Sequence, residues 1–332
     1  MRRQTVHCLF MLAFGALCHL ALAGVQTAAA APNGSRWGPD YFPNFVVTTH
    51  EGKKVKFYDD LIKDKIVIIN FIYTSCADTC PLQTARLAEV KNRLGDIVGK
   101  RYHFYSISLD PQRDTPEKLK EHAAAYDTGP GWTFITGDPA ELAVIRHKLG
   151  ERSRSLAEHR TDMVIGNDIK GSWRRTSAFD DFDRVILAIR EMDHDWLSGK
   201  EKDDRFVASY SENARKITLG AAKQTGQALF YKACAACHSI GDGKKVGPDL
   251  YDVDGRRPRD WLINFIMHPD QMRDRKDPIA VALHAQFPGT KMPYLGISKT
   301  DAEDLLKYIT VRTDHIKAIA GGTAEKSTGS GG

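Results

Sequence analysis

Residues 66–73 read Ile66-Val67-Ile68-Ile69-Asn70-Phe71-Ile72-Tyr73, a β-branched and aromatic run with a single amide in it. A run without polar alternation predicts a strand buried on both faces, as in a parallel sheet. Pro81 then suits the first turn of a helix, and Leu82, Ala85, Leu87, Val90 and Leu94 supply that helix's apolar face. A second strand over 103–109 completes a β-α-β unit, right-handed by rule. Thr115-Pro116-Glu117 opens another helix, and Asp138-Pro139-Ala140-Glu141 a third, with capping-box spacing from Asp138 to Glu141. Strands near 132–135 and 162–165 and a helix over 183–197 complete an α/β layer fold.

A polar stretch from 199 to 216 ends this pattern, and every later periodicity is helical. Ala221, Gly226, Leu229, Phe230 and Ala233 form one segment, and 261–267 form a second. Thr300-Asp301-Ala302-Glu303 is predicted to cap a last helix carrying Leu305, Leu306 and Ile309. The Gly-, Ser- and Thr-rich end predicts a disordered tail. The division is an export signal at 1–31, an α/β domain at 32–198, a linker at 199–216, an all-α domain at 217–313 and a tail at 314–332.

Composition changes little. The chain has 332 residues, 9% aromatic and 27% charged, ordinary for soluble globular protein. Its formal charge of +5 includes Arg2 and Arg3; without them it is about +3, too little to argue for nucleic acid. Those two arginines precede a mostly apolar stretch, Cys8 to Ala23, ending in small residues. That order is a secretory signal, too short for the roughly 20 apolar residues of a membrane span. The protein is therefore expected in the periplasm, held at the membrane only if the signal stays uncleaved. Cleavage would remove Cys8 and Cys18 and leave every cysteine in one of two motifs.

The first motif is Cys76-Ala77-Asp78-Thr79-Cys80, one residue longer inside than a thioredoxin-type pair. Cys80 is placed at a helix N-terminus, where exposed N–H groups lower a thiol's pKa. Thiolate serves both disulfide exchange and soft metals such as Cu(I), and a nitrogen ligand would let the site hold Cu(II) as well. Spacing alone does not separate the two uses. The second motif, Cys234-Ala235-Ala236-Cys237-His238, is the C-x-x-C-H signature of covalent c-type haem attachment, with the histidine ligating iron.

The surroundings of each motif carry a resemblance. Gly226 and Phe230 upstream, Gly247-Pro248-Asp249-Leu250 and Lys291-Met292-Pro293-Tyr294 make residues 217–313 resemble class I cytochrome c. The resemblance implies one covalent haem c, His238 as proximal and Met292 as distal ligand, and a close crossing of first and last helices at Gly226 against Leu305 or Tyr308. Met267, Met272, His268 and His284 are the competing sixth ligands.

Tyr73-Thr74-Ser75-Cys76-Ala77-Asp78-Thr79-Cys80-Pro81, the run Ser106-Ile107-Ser108-Leu109-Asp110-Pro111-Gln112-Arg113-Asp114-Thr115-Pro116, and Phe57-Tyr58-Asp59-Asp60-Leu61 resemble the Sco/SenC family over about 40–195. That family has a thioredoxin-like fold and binds copper through two cysteines and a histidine, serving assembly of the dinuclear copper centre of cytochrome c oxidase. Carried over, the resemblance implies one copper, as Cu(I) or Cu(II), on Cys76, Cys80 and His159. His122 and His147, at helix positions, are the alternatives and read as surface residues. Asp110 is a candidate neighbour of the site.

The expectation is a copper-binding assembly factor with a fused electron carrier, its partners a copper enzyme under assembly and a redox partner of the haem. It is not read as an enzyme. The second reading is an enzyme, a thiol-disulfide reductase using Cys76 and Cys80 with haem as relay.

Overall fold

The computed structural model describes residues 37–76, 79–200 and 225–328. The expected signal at 1–31 lies outside them, as do Ala77, Asp78 and the expected linker from 201 onward.

Among the described residues seven strands form one sheet in the order β2-β1-β5-β4-β3-β6-β7. Its centre is β3 (Ile66–Ile72), buried at every position, with β4 (Tyr102–Ser108) parallel to it in a register that sets Ile66 opposite Tyr102. β5 (Trp132–Thr136) continues the parallel group beyond β4. On the other side β6 (Asp162–Asn167) runs antiparallel to β3, and β7 (Ser172–Ser177) antiparallel to β6. A short pair, β1 (Val46–Thr49) and β2 (Lys54–Lys56), closes the β5 edge antiparallel. The parallel expectation thus holds for three strands inside a mixed sheet, because side-chain pattern reports burial and not strand direction.

The alternation of β3 divides the core. Ile66, Ile68 and Ile72 face α1 (Thr79–Leu94), α2 (Pro116–Ala125) and α4 (Phe182–Arg190). Val67, Ile69 and Phe71 face α3 (Pro139–Lys148) and a π-helical turn at Phe57–Ile62. Thr115 caps α2 through Lys118 N, and Asp138 caps α3 through Ala140 N and Glu141 N, as the sequence predicts. The helix expected over 183–197 is two helices. It stops at Arg190 and restarts as α5 (His194–Leu197), because Asp193 turns its carboxylate to Asp195 N and Trp196 N and to the Arg101 guanidinium and the Tyr102 hydroxyl.

Among the described residues, the regular elements of the C-terminal part are all helices. α6 (Thr225–Leu229) runs into a π-helical turn, Phe230–Cys234. α7 (Val253–Arg256), α8 (Arg259–Met267), α9 (Pro269–Asp274), α10 (Pro278–Gln286) and α11 (Lys299–Thr328) follow. Phe230, Leu262, Leu305, Leu306 and Ile309 form its core. A Cβ on Gly226 would lie 2.1 Å from the Asp304 carbonyl oxygen, so the predicted close crossing occurs one residue before Leu305.

Two expectations are corrected here. The last helix is capped by Ser298, whose Oγ accepts from Asp301 N, and not by Thr300. That helix also runs past 313, where irregular tail was expected, to Thr328. Thr313 is buried, Ile316 packs on the C-terminal core, and Lys317 pairs with Asp252; these contacts hold it helical. Among the described residues no helix is long and apolar enough to cross a membrane.

Candidate metal and haem centres

Cys76 and Cys80 lie at the N-terminus of α1, both buried and neither joined in a disulfide. The turn before them is fixed by Asp114, fully buried, whose carboxylate accepts from Thr74 N at 3.0 Å, Thr74 Oγ1 at 2.6 Å and Ser108 Oγ at 2.6 Å. Asp110, the neighbour considered from sequence, instead pairs with exposed Arg113. Both aspartates lie in the turn after β4; the sequence alone gave no reason to prefer the one four residues further on.

His159 enters from the turn ahead of β6. Its Nε2 lies 3.2 Å from Cys80 Sγ, and its ring meets Tyr73 edge-on at 5.6 Å. Gln83 on α1 donates to the Thr161 carbonyl at 2.6 Å, tying the histidine's segment to the helix that carries Cys80. His147 is exposed, as read from sequence. His122 is not: it is buried with Nε2 3.3 Å from Thr84 Oγ1, on the inner side of α2.

The expected lowering of the Cys80 pKa does not occur. A hydrogen bond with Cys76, then burial, pushes it well above the ordinary thiol range, outweighing the helix terminus. Burial lowers His159, so its imidazole is neutral and able to donate a lone pair. Among the described residues no three His, Cys, Asp or Glu side chains form a ready-made metal cage. The arrangement is a thiol pair with a neutral imidazole against it, a soft donor set that a copper ion fits once the thiol protons leave.

Two adjoining apolar cavities share Cys234, His238 and Met292 in their walls. His238 Nδ1 lies 2.8 Å from the Pro248 carbonyl, an arrangement that leaves Nε2 for an axial ligand role. Gly247 passes directly beneath that ring, where a Cβ would be 2.6 Å from His238 Cε1. Burial pushes the thiols of Cys234 and Cys237 up to about 12, so as free side chains they would be neutral. Met292 is held by Arg273, which donates to its carbonyl at 2.9 Å. Of the competing ligands His284 lines one cavity, while Met267, Met272 and His268 line neither. An apolar cleft with two cysteines, a histidine and a methionine in its walls fits a covalently held haem.

The two centres share a wall. Pro81 and Leu82 of α1, and Tyr126 at the end of α2, line the same cavity as Cys237 and His238. Leu82, Arg86 and Glu89 form an i, i+4, i+7 stripe toward the segment that carries Cys234 and Cys237. Arg86, 1% exposed, donates to Lys232 O at 2.7 Å and Ala178 O at 2.8 Å, and also to Asp180 O, with its guanidinium 4.2 Å from the centre of the Phe182 ring. Glu89 meets Lys245 at 3.4 Å. Nothing in the sequence reading anticipated these contacts; the one trace is an arginine set between Leu82 and Val90 on an apolar face.

Comparison with known proteins accords with both halves. Residues 34–165 match the SCO1/SenC family model, and residues 224–311 match that of cytochrome c. A SCO1 protein homolog of Bacillus subtilis is 32% identical over 95 residues, 28% of this chain and 47% of that protein, so the chain spans about half of that relative. Among solved structures, Bradyrhizobium japonicum ScoI with copper bound is 25% identical, with 45% of this chain and 96% of that one covered at a TM-score of 0.38. BsSco, described as a member of the Sco family of cytochrome c oxidase assembly proteins, is 22% identical over 45% of this chain and 90% of its own, at a TM-score of 0.39. The chain thus joins a region that matches the Sco/SenC family to a region that matches cytochrome c.

Proposed function

We propose that this protein is an exported copper-binding factor, with Cys76, Cys80 and His159 as copper ligands, that serves assembly of a copper-containing oxidase. Its fused cytochrome domain, with haem on Cys234 and Cys237 and His238 and Met292 as axial ligands, exchanges single electrons with the copper site. The observation that carries the reading is the contact of His159 Nε2 with Cys80 Sγ at 3.2 Å beside a second buried thiol. It joins residues 79 positions apart into one donor set. Copper passing between Cu(I) and Cu(II) exchanges one electron, which is the stoichiometry of a haem iron. A disulfide would need two, which makes the reductase the second reading.

Copper titration of the haem-loaded protein, followed by absorption and EPR, tests this. One tight copper per chain is expected. Its Cu(II)–thiolate bands should vanish in Cys76→Ser and change in His159→Ala. Absence of tight copper together with a readily cycled Cys76–Cys80 disulfide would replace this reading with the reductase.

A further inference from the structure

Tyr126 belongs to neither motif, yet it stands between them. Its ring is 3% exposed and packs in one apolar cluster with Leu82 on the Sco side and Ala236, Cys237 and Leu295 on the cytochrome side. His122 lies against it, its ring tilted by 41° with ring centres 4.7 Å apart. The same ring lines the cavity that holds Cys237 and His238. Pro81, one peptide bond from Cys80, lines that cavity beside it. Tyr126 thus lines the cavity of Cys237 and His238 and packs in the same cluster as Leu82, two residues from Cys80.

We infer that Tyr126 is the bridge through which the copper site and the haem site exchange electrons, its ring keeping the gap between Cys80 and Cys237 filled and dry. The inference rests on the electron-exchange reading above and assigns it a residue. In the step it serves, the electron lost by ferrous haem iron is gained by Cu(II), which becomes Cu(I); no bond forms or breaks. The phenol keeps its proton throughout. Burial pushes its pKa up, in keeping with a ring that conducts and does not titrate.

The test uses the full chain carrying haem and Cu(II). A light pulse with a soluble photosensitiser reduces the haem, and its reoxidation is followed with and without copper in the site. Wild type and Tyr126→Phe are expected to show a copper-dependent phase that is lost in Tyr126→Leu. Haem spectra, the haem reduction potential and amide exchange over 232–238 report whether the interface stays intact, and Tyr126→Met replaces the leucine variant if they change. A packed Tyr126→Leu or Tyr126→Met protein relaxing at the wild-type rate would overturn the bridge while leaving electron exchange standing. Loss of the phase in Tyr126→Phe would equally overturn a role for the ring. A wild type without any copper-dependent phase would remove the electron-exchange reading itself, and the bridge with it.

Discussion

His122 shows how strongly burial acts on a single residue here. Enclosed by Thr84, Tyr126 and Phe134, its imidazole is lowered to about 4 by desolvation. In the unfolded chain it titrates near 6.5, so between those values the unfolded state binds a proton that the folded state refuses. Its contribution is unaffected above about pH 6.5 and erodes stability as pH falls toward 4, by on the order of 3 kcal/mol in all. His122→Gln keeps a partner for Thr84 without that titration. Its stability, measured by denaturant unfolding, should fall less than that of wild type between pH 6.5 and 4. Parallel pH profiles for the two proteins would contradict the assignment.

At the scale of elements, α1 is unusual in being buried without a break from Cys80 to Ala88. A helix on an α/β sheet ordinarily keeps a solvent face; here the cytochrome domain covers it. That explains what was and was not legible beforehand. The β3 run, the caps of α2 and α3 and both cysteine motifs are local patterns, and they stand in the sequence. Strand direction, the break before α5, the Ser298 cap and the docked face of α1 depend on partners distant in the chain. His159 reached the site through family likeness, since nothing in its spacing from Cys80 points to a contact. The crossing of α6 and α11 likewise came from the resemblance to cytochrome c, with Gly226 as the residue that permits it. Gly226→Ala would drive a methyl group into the Asp304 carbonyl, 2.1 Å from the Cβ position. Overpacking of this kind costs roughly 1–3 kcal/mol. Denaturant unfolding followed at the haem absorption band should show that loss, and an unchanged midpoint would argue against the close crossing.

For the whole molecule, the contact that matters most is Arg86. Its three acceptors are carbonyls, two in the N-terminal domain and one, Lys232 O, two residues before Cys234. Replacing it with methionine retains much of the volume and orphans those carbonyls, each worth roughly 1–3 kcal/mol when left unsatisfied. Arg86→Met should lower the unfolding midpoint and raise amide exchange over 232–238 in particular. Destabilisation without faster exchange in that segment would show that the arginine braces only the Sco domain.

The same guanidinium bears on how such a chain can evolve. A descendant that lost its cytochrome domain would keep an arginine short of one acceptor on a newly wetted apolar face, and would be under pressure to replace it. A descendant that gained a different C-terminal domain would inherit a demand for a carbonyl at that point. Position 86 therefore links the histories of two domains that could otherwise be exchanged as units.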